Sequence, residues 1–200
     1  MIEDILQREW DFFQEVRHID GRASCQDDKE TFYLQRRSQF ELFPLLLQES
    51  YLADLKYARE VGRNLVMEKY AYMMESTDPD YYASIKESLP LVSSEKRNII
   101  DAICQIEVDM REKFNQQYPH LALQARYTHT SEDGKEDTSF ETYLRGELST
   151  YSTQTLYLYG EMVVDYLKQK RNIIVEIMEK TVLSYGYHSL KEAEEIYEKR

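Results

Sequence analysis

Six glycines and four prolines in 200 residues are too few to make the many tight turns of a β-sandwich or barrel. Cysteine is nearly absent: Cys25 and Cys104 lie far apart, which excludes a disulfide-stapled scaffold, and both read as free thiols. The opening Met1-Ile2-Glu3-Asp4 has neither the basic nor the apolar segment of a secretory leader, so a cytoplasmic location is expected. No apolar run approaches the roughly 18 to 20 residues of a membrane span; the strongest is Phe43-Pro44-Leu45-Leu46-Leu47. Basic residues are outnumbered 25 to 37, giving a net charge of −12 that repels nucleic acid phosphates and anionic lipid. Hydrophobic residues are plentiful at 42%, enough to bury a core, and the length suits one domain over residues 1–200.

Apolar residues recur at helical spacing through most of the chain. Ile2, Ile5, Leu6, Phe13 and Val16 predict a first helix over about 3–17. A polar loop at 21–28 follows, and Asp27 with Glu30 reads as a capping box opening a second helix that runs to about Phe43. Pro44 breaks the pattern, and a third helix is expected from Leu45 toward Glu75, with Gly62 as a weaker interruption. Asp78-Pro79 opens a short helix, and Ser93 or Ser94 caps another that ends before Pro119. Residues 126–138 form the longest polar loop, with a hairpin turn expected at Asp133-Gly134. Thr138 and Glu141 cap a pattern continuing to Tyr166, with bends near Gly146, Gly160 and residues 168–172; Ser189 and Glu192 cap a terminal helix. The sum is an all-α bundle of about five to seven helices.

Two cations fall on the apolar faces of these helices. Arg36 lies in the stripe of Phe32, Phe40 and Phe43 with Gln39 at its border, and Lys69 lies among Leu65, Val66, Tyr70 and Met73, flanked by Asn64 and Glu68. A buried charge needs a partner. Asp54, Glu147, Asp27 and Asp28 are the candidates, and Tyr151 is one of 17 tyrosines, most of them at core positions where their hydroxyls need partners. Either these groups are buried ion pairs that fix helix register, or they line a pocket for a small anionic ligand. In the second reading Arg36, Arg63 and Lys69 hold the anion while Glu68 or Glu147 acts as acid or base. Cys25, between Arg22 and a helix start, is the one tempting nucleophile, and an inert loop thiol is the preferred reading.

Metal chemistry has little support. Glu15-x-x-His18 lacks the second copy that a di-iron bundle needs, Glu176-x-x-Glu179 is half of a magnesium motif, and Glu161 with Asp165 reads as a solvated face rather than a cation site shared with Asp27 or Asp28. Phosphate loops, dinucleotide turns, nucleophile elbows and Cys-x-x-Cys pairs are all missing from the sequence. No cofactor can be named, and whether the chain is an enzyme is left open.

The strings at 21–28, Gly62-Arg63-Asn64-Leu65, Glu68-Lys69-Tyr70-Ala71 and Glu141-Thr142-Tyr143-Leu144-Arg145-Gly146-Glu147-Leu148 with Thr150-Tyr151-Ser152 resemble an uncharacterised bacterial family, domain of unknown function 4125, over about residues 8–165. That resemblance implies no assigned activity, cofactor or catalytic residue. Its strings contain several of the polar groups already singled out and add Arg145. Two functions follow as expectations: a protein that binds or transforms a small anionic ligand, or a helical adaptor whose charged residues are register pairs. The Tyr- and Met-rich faces could also support a homodimer.

Overall fold

The computed structural model describes residues 1–17, 21–135 and 137–199. Among them are eleven α-helices: α1 Ile2–Gln14, α2 Lys29–Phe40, α3 Leu45–Glu60, α4 Leu65–Thr77, α5 Pro79–Ile85, α6 Ser94–Gln117, α7 Pro119–Ala122, α8 Phe140–Thr150, α9 Thr153–Lys168, α10 Ile173–Ser184 and α11 Leu190–Glu198. Three short 3-10 turns, Ser24–Asp27, Lys86–Ser88 and Thr130–Glu132, join them. No strand occurs among the described residues, so the all-α expectation holds while the count of five to seven is too low.

The undercount has local causes. Gly62 adopts φ +74°, a left-handed conformation that glycine reaches without strain, and it divides the expected third helix into α3 and α4; Asn64 then caps α4 through the Met67 amide. Tyr151 turns extended, and the Ser152 hydroxyl caps α9 through the Thr155 amide, splitting what the periodicity joins. Two other caps move by one residue, and a third stands where expected. Asp28, rather than Asp27, caps α2; Ser139, rather than Thr138, caps α8; Asp78 accepts from the Tyr81 amide ahead of Pro79.

Among the described residues of 126–138 no hairpin strands form. Asp133 instead draws the loop onto α4 and α8, accepting hydrogen bonds from Ser76, the Ser139 amide (2.7 Å) and the Thr142 hydroxyl. A carboxylate with three donors outweighs a two-residue turn. The pairing of Glu15 with His18 involves a residue outside those described.

Helix α8 packs on both α4 and α6; α2 packs on α1 and α10; α10 also lies against α6, and α9 bridges α3 and α6. A contiguous apolar cluster runs from Ile5 and Leu6 of α1 to Leu190 and Ala193 of α11. The approach of α4 and α8 is close because Gly146 faces the Lys69 carbonyl and the Met73 side chain, where a Cβ would sit 2.9 and 2.8 Å away. That contact sets Lys69 and Glu147, one position from Gly146, against each other.

Candidate functional site

Helix periodicity places Glu9 among the buried Ile5, Leu6, Phe12 and Phe13 of α1, Arg36 beside Phe40 on α2, Lys69 beside Val66 and Met73 on α4, and Glu147 beside Leu144 and Leu148 on α8. The four charges meet at the bundle centre. Arg36 donates through Nε (2.7 Å) and Nη2 (2.6 Å) to Glu9, through Nη1 (3.1 Å) and Nη2 (3.0 Å) to Glu147, and through Nη1 to Gln39. All five guanidinium N–H groups are therefore used. Lys69 Nζ stands 3.5 Å from Glu147 and donates to the Tyr143 hydroxyl at 2.7 Å. Tyr51 donates to Glu9 at 2.5 Å and Tyr151 to Glu147 at 3.1 Å, so two of the core tyrosines find their partners here.

Two carboxylates against two cations make this cluster neutral. Burial opposes the charge on Glu147, but Arg36 and Lys69 outweigh it and hold the carboxyl down at about 2. The same balance runs the other way for Arg36: burial disfavours its charge, and Glu147 and Glu9 overcompensate and raise its pKa well above the usual value. Glu147 is thus a committed anion, and Arg36 has no donor left for a ligand.

Two cavities flank the cluster. One, of about 260 Å³, lies toward α1 and α4 and is lined by Glu9, Cys25, Asp28, Arg36, Lys69 and Tyr143 among others. The second, of about 380 Å³, lies between α2, α6, α8 and α10. Arg36 and Glu147 form part of its floor; Glu107, Arg111 and Tyr159 complete the polar end; Ile173, Ile174, Ile177 and Met178 of α10 form an apolar wall. Its exposed rim includes Gln35 and Arg126, and the Arg126 guanidinium lies 4.9 Å from the Tyr143 ring centre.

Arg111 is the exception among the buried cations. Only 5% exposed, it makes no ion pair with a described carboxylate, its Nε has no hydrogen-bond partner, and Nη2 reaches only the Arg126 carbonyl at 3.5 Å. Burial alone acts on it, lowering its pKa. Glu107, one helical turn before it, accepts from the Tyr159 hydroxyl at 2.7 Å. Burial pushes the Glu107 carboxyl up, the Tyr159 hydrogen bond offsets part of that and the nearby Glu147 adds to it, leaving a pKa of about 7.

Arg36, Gln39, Lys69, Glu147 and Tyr151 therefore converge, and Cys25 and Asp28 stand beside them on the smaller cavity. The others do not join them. Arg63 forks onto Glu68 at 2.8 and 2.6 Å. Asn64 caps α4 and donates to the Phe12 carbonyl at 2.8 Å. Asp27 pairs with Arg22 at 2.9 Å. Arg145 bridges Asp101 and Glu141 in a separate cleft beside Tyr72 and Ser76. Asp54, named as a partner for the buried cations, accepts instead from the Ser152 amide at 2.9 Å.

Glu9, Glu107 and Arg111 were not among the expected residues, although the signal that exposes Arg36 exposes them too. Glu9 is one turn from Ile5 and from Phe13; Glu107 is one turn from Ile103; Arg111 is one turn from Phe114. Among the described residues no group of three or more His, Cys, Asp or Glu side chains is placed to hold a metal ion, and no helix is long and apolar enough to cross a membrane.

The class these features define is an all-helical protein with a neutral ion cluster at its centre and a half-polar cavity beside it. The chain belongs to the family described as "Protein of unknown function (DUF4125)", which matches residues 1–195. No curated protein and no solved structure matches it.

Proposed function

We propose that the protein binds a small anionic ligand in the cavity between α2, α6, α8 and α10. The observation that carries this reading is Arg111, a buried guanidinium on a cavity wall that no carboxylate among the described residues pairs with. A buried charge left unpaired is costly, and an anion entering from the Arg126 rim would relieve that cost. The volume falls within the range of sites for metabolite-sized molecules.

The roles expected of Arg36, Lys69 and Glu147 change accordingly: Arg36 and Glu147 build the floor rather than hold the ligand, and Lys69, outside this cavity, balances the charge of Glu147. Glu68 and Glu147 are each engaged with an arginine, whereas Glu107 is the carboxyl at the cavity whose pKa lies near neutrality, which suits it to exchange a proton with an occupant. The adaptor reading has no comparable anchor, since the most exposed large apolar side chains, Leu91, Leu123, Leu46 and Leu45, sit at three different helix junctions.

A thermal-shift screen of small carboxylates, phosphates and sulfates tests the proposal. At least one class is expected to raise the melting temperature of the wild type, to lose its effect in Arg111→Gln and to keep it in Arg63→Gln, which lies away from the cavity. An anion whose shift survives Arg111→Gln, or a screen without any shift, would overturn it.

A further inference from the structure

The same cavity limits the chemistry of its occupant, and the following inference rests on the ligand-binding reading just given. We propose that the ligand is a monocarboxylate with an apolar body, its carboxylate forked onto Arg111 and its body against α10, and that it binds together with one proton taken up from solvent by Glu107.

The head group follows from the donors left open. Arg111 has a buried Nε without a partner and an Nη2 with only one long contact, so an occupant that reaches this edge of the planar guanidinium meets two nearly parallel N–H groups. That edge matches the two oxygens of a carboxylate. The charge follows from the count at the polar end. The buried charges lining the cavity are Arg36 and Arg111 against Glu147 and Glu107, while Arg126 stands on the exposed rim, where solvent screens it. The buried charges sum to zero when Glu107 is ionised and to +1 when it carries a proton, so a single negative charge balances the site only with Glu107 protonated. A phosphate dianion would leave an excess negative charge beside Glu147.

The groups facing Glu107 permit that proton. Tyr159 of α9 donates to it, Glu147 of α8 repels its charge, Arg36 of α2 is occupied with Glu9, Glu147 and Gln39, Arg111 lies one turn along α6 and is taken by the ligand, Arg126 stays on the solvent-exposed rim, and α10 lines the cavity with Ile173, Ile174, Ile177, Met178 and Thr181, none of them charged. The apolar body follows from that α10 wall, continued by Phe43, Phe140 and Leu144, which gains from every methylene it removes from water.

The test is calorimetric titration of the wild-type chain with the n-alkanoates from acetate to octanoate, with hexyl phosphate and inorganic phosphate as contrasts, at pH 6 and pH 8. Affinity should rise about threefold to fourfold per added methylene until the cavity is filled. Because a carboxyl near pH 7 is protonated about ten times more often at pH 6 than at pH 8, hexanoate should bind about tenfold more tightly at the lower pH. Titrations at pH 8 in buffers of different ionisation enthalpy should show about one proton taken up per ligand.

Glu107→Gln, a neutral isostere, should bind hexanoate at both pH values with the pH dependence gone. Arg111→Lys, which keeps the charge but loses the fork, should weaken hexanoate by at least about tenfold. These two variants separate the levels of the argument, and the wild-type series needs neither of them to fold. If phosphate or hexyl phosphate binds in an Arg111-dependent way and the alkanoates do not, the ligand class is wrong while the site stands. Alkanoate binding that is flat with chain length or with pH also overturns this inference. If no anion of any kind binds, the site itself falls.

Discussion

Arg36 and Arg111 are chemically identical and nearly equally buried, at 6% and 5% exposure, yet their surroundings are opposite. One has every donor met by a carboxylate or an amide; the other has a long carbonyl contact and the flanking rings of Phe114 and Phe140. That both face inward is readable from helix phase alone. Which of them is paired is not, because the pairing depends on Glu9 and Glu147, which lie 27 and 111 positions from Arg36. Local periodicity tells where a side chain points and is silent on what a distant helix brings to it.

The two central carboxyls carry opposite pH signatures. Glu107 has its native pKa raised from 4.5 to about 7, so its favourable contribution is complete below about 4.5 and is lost as pH rises through 7. Glu107→Gln should therefore stabilise the protein at pH 8 by up to about 3 kcal/mol and leave it nearly unchanged at pH 4.5. Chemical denaturation at the two pH values measures this. Glu147 is depressed to about 2, so its contribution is present above 4.5 and disappears as pH falls through 2. Acid unfolding in that window should be shifted to higher pH by Tyr151→Phe, which removes one of the donors holding the anion.

At the scale of helices, the caps were the most legible feature: Ser93 and Ser189 stand where expected, because a side-chain acceptor three residues before an amide is a local device. The breaks were less so. Gly62 reads as a weak interruption in a helical pattern, and only its backbone angle reveals that the helix ends there. Ser152 was hidden inside apolar periodicity that continues in phase from α8 into α9. The hairpin failed because Asp133 found donors on elements remote in sequence, among them Ser76 of α4.

The α4–α8 contact gives an element-level prediction. Gly146→Ala would put a methyl group within 3 Å of the Lys69 backbone carbonyl, which cannot rotate away as a side-chain end could. The helices must separate, at a cost of about 1 to 3 kcal/mol, read as a lower midpoint in urea at unchanged slope. Gly62→Ala, with open space around it but a left-handed backbone, should cost about 1 kcal/mol for the strain alone.

For the whole molecule, the −12 charge adds a diffuse self-repulsion to the local effect of Glu107, and both weaken as pH falls from 8 toward the isoelectric point near 4.9. Melting temperature should therefore peak on the acidic side of neutrality, at about pH 5 to 6, and at pH 8 should rise with added sodium chloride as the repulsion is screened. A peak above pH 7 would show that other groups dominate. A single domain over 1–200, as the sequence predicts, should unfold as one cooperative unit. Trp10, the lone tryptophan, packs on Phe13 and Phe32 at one end of the cluster, so its fluorescence and far-ultraviolet circular dichroism should report the same unfolding midpoint.

Composition and periodicity disclosed the helical class and the inward cations. The cavity emerges only when α2, α6, α8 and α10 are assembled. The two buried arginines are expected to divide the labour, Arg36 neutralising Glu9 and Glu147 and Arg111 left open to an occupant. The most direct measurement is urea unfolding, without added ligand, of Arg36→Gln and Arg111→Gln beside the wild type. Removing Arg36 leaves Glu9 and Glu147 buried without their cation and should cost about 3 to 5 kcal/mol, whereas removing Arg111 takes away a charge that no described carboxylate pairs with and should change stability by no more than about 1 kcal/mol. Equal losses in the two variants, or a larger loss at Arg111, would contradict the account.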